Sequence, residues 1–275
     1  MRRSWLGKLW IYLGVLILLI LIVFPFYWMI ATSLKTFAEV SIERTVIPRQ
    51  IVTTNYTDLF RQTTILTHLL NTLWISLVTT AFSLLLATMT GYTITRYETA
   101  WGEFVARFTL FTYMVPSIVL LLPLYLVLQA AGLINTHAGL ILSYLTFTLP
   151  FAIWMMRAYF QTIPQVMEEA AVVDGANRFQ VFLWIVLPQA MPGLISTAIF
   201  VFILCWSEFL YPLVLISTDE LKTVTVTLAA LTGGGQNIKF GLLMAASTVA
   251  TLPIILIFFF LQKYLIRGFA AGGYE

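Results

Sequence analysis

"EEAAVVDGANRFQVFLWIVLP", Glu168 to Pro188, sets two carboxylates, an aspartate and a turn glycine between two of the most apolar stretches of the chain. What surrounds it decides how it is read. The 275 residues are 60% hydrophobic and 10% charged, with a mean hydropathy of +0.93, whereas an ordinary soluble domain is about 45–50% apolar and about 25% charged. The solvent for most of this chain is therefore lipid. Six stretches reach the roughly 20 apolar residues that a helix needs to cross a bilayer. They are Leu9–Leu34, Asn71–Ile94, Phe108–Ala130, Ala138–Phe160, Ile195–Ile216 and Gly241–Ile266. The expected fold is all-α, a polytopic membrane protein with six transmembrane helices.

Prolines 25, 116, 123, 150, 212 and 253 fall inside these stretches. In a membrane bundle, neighbouring helices satisfy the carbonyls a proline frees, so kinked rather than interrupted spans are expected. The first apolar run follows the basic "MRRSWLGK". It is too long for a signal peptide and no A-x-A site follows, which favours a retained anchor. With the N-terminus inside, nine of the 15 basic residues (Arg2, Arg3, Lys8, Arg96, Arg107, Arg157, Arg178, Lys263, Arg267) are cytoplasmic and six (Lys35, Arg44, Arg49, Arg61, Lys222, Lys239) exterior. That bias places both termini, and the opening stretch, in the cytoplasm.

Within that stretch the spacing predicts a helix, a turn and a second helix. Thr162 with Gln165 fits a capping box and Pro164 fits the first turn. Val166, Met167, Ala170 and Val173 share one side, with Ala170 and Ala171 small enough for close approach by another surface. Gly175 stops the helix and Asn177 caps the next, on which Phe179, Phe182, Leu183 and Val186 recur at helical spacing. Pro188 and Pro192 mark the return to the membrane. Interfacial helices favour Lys and Arg on their polar face, yet here stand Glu168, Glu169 and Asp174 with Arg178 as the one base. Docking into a groove on a basic soluble partner accounts for both the acids and the apolar faces.

These residues also carry a resemblance. Glu169, Ala170, Ala171, Gly175, Ile185, Leu187 and Pro188 occupy every position of the EAA loop of ABC importer membrane subunits, written EAA, three residues, Gly, nine residues, I-x-L-P. "TSLKT" from Thr32, "TNYTDLF" from Thr54, "NTLWISLVTTAFSLLLATMTGYTITRY" from Asn71, "GLINTHAGLIL" from Gly132, "LPFAIWMMRAYFQTIP" to Pro164 and "WSEFLYPLVL" from Trp206 are similar to the carbohydrate-uptake branch, in particular the maltose-transporter type of second membrane subunit. The tail "IRGFAAGGYE" is similar too, but ends in Tyr274 and Glu275 where that subunit usually ends Val-Lys-Gly.

The resemblance implies a type I ABC importer fold in a prokaryotic cytoplasmic membrane. Residues 1–66 would form the first helix and an exterior segment, 67–262 the transmembrane core with the EAA loop at about 161–192, and 263–275 a cytoplasmic tail. It further implies a second homologous permease subunit, two ABC ATPase subunits that use ATP and Mg, and an extracytoplasmic sugar-binding protein. This chain would bind no cofactor and catalyse nothing. It carries no ATP-binding signature: the glycines of "LTGGGQN" lack the G-x-x-x-x-G-K-[ST] spacing and read as a flexible exterior loop. Glu168, Glu169, Ala170, Ala171, Asp174, Gly175, Ile185, Leu187 and Pro188 are then the ATPase-coupling residues, with Glu169 in a charge-assisted contact, the alanines in close packing and Gly175 in the turn.

Other readings stay open at this point. Glu208 is the one acid expected inside a span, where charge is costly. It reads as a polar group on a sugar path with Trp206 and Tyr211, or as a structural acid paired with another helix. His68 and His137 sit in or near separate exterior connections without a nearby acidic or second histidine ligand, so no catalytic or metal set is expected. Scattered basic residues argue against nucleic acid, and the lone Cys205 against any intrachain disulfide. Trp5, Trp10, Trp101 and Trp184 fit interfacial belts. An ABC permease for another solute (glycerol phosphate, an amino acid or a peptide) is the alternative. A stand-alone secondary transporter would need more ionisable groups inside its spans, and an intramembrane enzyme a catalytic set.

Overall fold

The computed structural model describes residues 5–43, 45–97, 99–233 and 239–271, with the backbone alone for 5–7 and 263–271. Among these every regular element is helical: α1 (Trp5–Ser33), a π turn (Glu39–Glu43), α2 (Thr54–Gln62), α3 (Ile65–Arg96), α4 (Ala100–Met114), α5 (Ser117–Ala130), α6 (His137–Gln161), α7 (Val166–Val173) and α8 (Arg178–Gln180). A π-helical stretch, Val181–Val186, continues α8 into α9 (Leu187–Trp206), followed by α10 (Leu210–Leu215), α11 (Val224–Thr232) and α12 (Phe240–Ala271). Among the described residues five stretches are long and apolar enough to cross a membrane: Lys8–Ser33, Ile65–Arg96, His137–Gln161, Arg178–Trp206 and Phe240–Gln262. The bent pair α4 and α5 makes a sixth when taken as one span. The basic pair Arg2–Arg3, the glycine-run residues 234–238 and the terminal residues 272–275 lie outside the described residues.

The chain forms two compact units, Met1–Leu66 with Thr227–Leu252, and Thr67–Val226 with Pro253–Glu275. In the first, buried polar groups order the segment after α1. The Lys35 ammonium donates to the Thr45 carbonyl and stands 4.6 Å over the Trp28 ring. Glu39 accepts the backbone N–H groups of Arg49 and Gln50 at 3.3 and 3.0 Å. Asn55 donates to the carbonyls of Ser33 and Lys35.

The second unit is built on α3, α6 and α9. Along α6 the buried residues Leu140, Tyr144, Thr148, Ala152, Met156 and Phe160 recur every four positions, one continuous inward stripe. Without a hydrophobic drive between helices in lipid, close packing holds them, and small residues permit it. Gly193 of α9 is the tightest case: a Cβ there would stand 2.2 Å from Cγ of Tyr159. On α4, which packs on α6, the buried residues are the small Gly102, Ala106 and Thr109. The Ser83 and Thr148 hydroxyls bond across α3 and α6 at 2.8 Å.

Three expectations are corrected. Pro116 interrupts its span instead of kinking it: α4 and α5 meet at 103°. Val115, pushed by the following proline into an extended conformation, ends α4. Pro150 and Pro253 remain inside unbroken helices, as expected. Next, the second loop helix is the start of the fifth span, because Arg178–Trp206 runs through Pro188 and Pro192 without a break. A wide π turn, closed by Leu187 N–H to the Phe182 carbonyl, stands directly ahead of Pro188, whose ring and missing N–H disturb regular helical bonding. At its other end that span stops at Trp206, short of Ile216. In the connection that follows, the described residues 217–233 hold a 3-10 turn at Asp219–Leu221 and α11. Asn135, at φ 59, accepts from Ser217 and Thr218 N–H at 3.0 Å, and Asn71 donates to the Glu220 and Lys222 carbonyls.

Candidate functional site

The loop between α6 and α9 has its local signals in place at one end and not at the other. α7 ends in a Schellman motif: Ala176 N–H reaches the Ala171 carbonyl and Gly175 N–H the Val172 carbonyl, both at 3.0 Å. Gly175 sits at φ +90, where a side chain is strained. Asn177 and Gln180 form a reciprocal capping box, at 2.8 and 2.9 Å. At the start of α7 the expected box between Thr162 and Gln165 is absent. The Thr162 hydroxyl donates back to Tyr159, and the Gln165 backbone carbonyl accepts from Glu168 and Glu169.

The faces of α7 are the reverse of those of an ordinary surface helix. Its apolar residues Val166, Met167, Val172 and Val173 are exposed, Val173 by 87%, and Glu169 and Ala170 share that exposure. Glu168 points inward instead. Its Oε1 accepts from Arg96 Nε at 2.5 Å and its Oε2 from the Tyr92 hydroxyl at 2.8 Å. Arg96 Nη2 also donates to the Ile163 carbonyl at 2.9 Å. The side chains of Arg96 and Glu168 are 8% and 12% exposed, so the pair is nearly dry. Tyr92 further packs on Phe160 and Phe182, with ring centroids 5.7 and 4.9 Å away. Arg178 lies over the Tyr97 ring at 5.6 Å. The loop is thus tied by side chains to the last two turns of α3.

On the following segment the expected face splits. Val186 is buried and Phe182 and Leu183 half-buried, but Phe179 is 66% exposed. Val181 takes the inward place, because the π turn rotates the face relative to regular helical spacing. Asp174, Gly175 and Pro188 are exposed, while Ala171, Ile185 and Leu187 are half-buried. Tyr92, Arg96 and Tyr97 are the residues that sequence reasoning did not place here. The available signal was complementary charge, since Arg96 ends α3 and Glu168 opens α7.

The second candidate group lies elsewhere in the same unit. Trp206 is buried and stacks on Phe202 at 5.5 Å. Tyr211 is also buried, and its hydroxyl donates to the Ser117 carbonyl at 2.9 Å. Glu208 stands in the break between α9 and α10, not within a helix. Its Oε1 accepts from Leu210 and Tyr211 N–H at 2.8 and 3.2 Å, capping α10. His68 is corrected too: it lies buried in α3, with Nε2 2.7 Å from the Asp219 carbonyl and 3.9 Å from its carboxylate.

Residues 80–270 match the family model described as "binding-protein-dependent transport system inner membrane component". The matched region takes in Tyr92, Arg96 and the whole loop. The chain belongs to this family. It is a multi-pass inner membrane component, and two curated relatives lie close to it over nearly their full length. The trehalose transport system permease protein SugB of Mycobacterium tuberculosis is 36% identical over 90% of this chain and 90% of its own. The trehalose/maltose transport system permease protein MalG of Thermococcus litoralis is 30% identical over 99% and 98%. In three dimensions this inner membrane component is similar, with a TM-score of 0.82, to a chain of a bacterial ABC transporter involved in the import of the acidic polysaccharide alginate. At 20% identity, covering 96% of this chain and 99% of that one, the likeness carries the fold alone.

Proposed function

We propose that this chain is one of two homologous permease subunits of an ATP-driven sugar importer, spanning a prokaryotic cytoplasmic membrane with both termini inside. It forms half of the translocation pathway. Two ATPase subunits supply ATP hydrolysis with Mg, and an extracytoplasmic binding protein delivers the sugar. Relatives named for trehalose and for trehalose and maltose support a sugar as substrate. Trp206, Glu208 and Tyr211 remain the proposed pathway group of this chain.

The observation that carries the reading is the outward apolar face of α7. Val166, Met167, Ala170 and Val173 leave the apolar face of α7 uncovered beside the exposed acids Glu169 and Asp174, and Phe179 is exposed beyond the turn. Such patches mark interaction sites, and apolar anchors ringed by acids fit a groove with basic residues. ATP binding closes the ATPase pair, the docked loop moves with it, and the spans change from inward-facing to outward-facing. Hydrolysis resets them.

The test is affinity purification of tagged protein in mild detergent from cells that also express the ATPase. Wild type is expected to bring down the ATPase and a second permease. Gly175→Pro is incompatible with φ +90 and removes the N–H bonded to Val172, and is expected to bring down neither. Equal recovery with both would remove the docking role.

A further inference from the structure

The two adjacent glutamates of the loop do different work, and the difference concerns how movement reaches the membrane. We infer that Glu168 is a positioning residue: with Arg96 and Tyr92 it locks α7 to the cytoplasmic-side end of α3, so that loop and helix move as one body. This rests on the docking reading above and adds the route by which motion leaves the loop.

Three observations carry it. The link is polar and nearly enclosed, with both oxygens of Glu168 used, one by Arg96 and the other by Tyr92. Arg96 at the same time holds the Ile163 carbonyl between α6 and α7, so one side chain fastens the loop at two points. Tyr92 adds aromatic contacts to Phe160 before the loop and Phe182 after it. Charges withdrawn from water and joined by several bonds cannot slide past one another without exposing an unpaired ion, so the connection has one favoured geometry. α3 in turn is a continuous helix from Ile65 to Arg96, long enough to carry a displacement across a bilayer. A coupling route requires such contiguous, rigid elements.

The experiment uses the assembled transporter with nitroxide labels at Met89→Cys on α3 and Val172→Cys on α7, both exposed positions. Inter-label distances are measured without nucleotide and with a non-hydrolysable ATP analogue, alongside co-elution of the ATPase. With the native pair the distance is expected to stay the same in both states. In Glu168→Gln and Tyr92→Phe it should shift with nucleotide by more than the ~1–2 Å of an ordinary helix adjustment, while the ATPase still co-elutes. The exchanged pair Arg96→Glu with Glu168→Arg should restore the fixed distance, which a loss of folding would not allow. A nucleotide-driven shift with the native pair, or variants as fixed as the native protein, would overturn the inference and leave docking intact. Absence of the ATPase from the native preparation would overturn docking and this inference together.

Discussion

Glu168 and Glu169 are neighbours in the chain and face opposite ways. Glu168 is held against Arg96 inside the protein, and Glu169 stands in solvent on the face with Val166 and Val173. Their substitutions separate accordingly. Glu168→Ala strands the buried Arg96 guanidinium, and breaking such a pair costs about 3–5 kcal/mol. Thermal unfolding in detergent should show a lowered midpoint. Glu169→Ala, at an exposed position, should change stability by no more than about 0.5 kcal/mol, while weakening ATPase recovery in a pull-down.

The turn that follows α7 gives a graded series. Gly175→Ala forces a side chain into the left-handed region at a cost of about 1–2 kcal/mol. Asn177→Ala removes the N-cap of the next segment for about 1 kcal/mol. Both should lower the unfolding midpoint modestly and leave the protein inserted. Membrane extraction and size-exclusion profiles matching wild type, with the midpoints reduced, are the expected result.

A sharper effect is expected at Gly193, where an added Cβ meets the Tyr159 ring. Overpacking of this kind typically costs about 1–3 kcal/mol. Gly14 is the control, since nothing lies within 4 Å of a Cβ there. Gly193→Ala should reduce the midpoint and yield of purified protein. Gly14→Ala should match wild type or exceed it slightly, because alanine favours helix by about 1 kcal/mol.

Much of this arrangement is legible in residue order, and the remainder is hidden for identifiable reasons. Apolar length marks the spans, and Gly175 and Asn177 announce their turn and cap because each is a local solution to a backbone requirement. The inward turn of Glu168 is not local: its partners Tyr92 and Arg96 lie more than 70 residues earlier. Helical spacing fixes which residues share a face but not which face meets protein. Pro116 and Pro150 look alike in sequence, yet one breaks its helix and the other does not. Pro150 is buried and Pro116 exposed, a difference that residue order alone does not carry. The continuation through Pro188 depends on a π turn that has no spacing signature of its own.

The outward face of α7 is the centre of the account, and Val173, exposed by 87%, stands out furthest among its large apolar residues. The most direct measurement is thiol labelling of Val173→Cys. The one native cysteine, Cys205, is buried and provides a quiet background. The isolated permease should label rapidly at position 173, and the complex with its ATPase should be protected by tenfold or more. Equal labelling rates in the two states would contradict the docking of this loop.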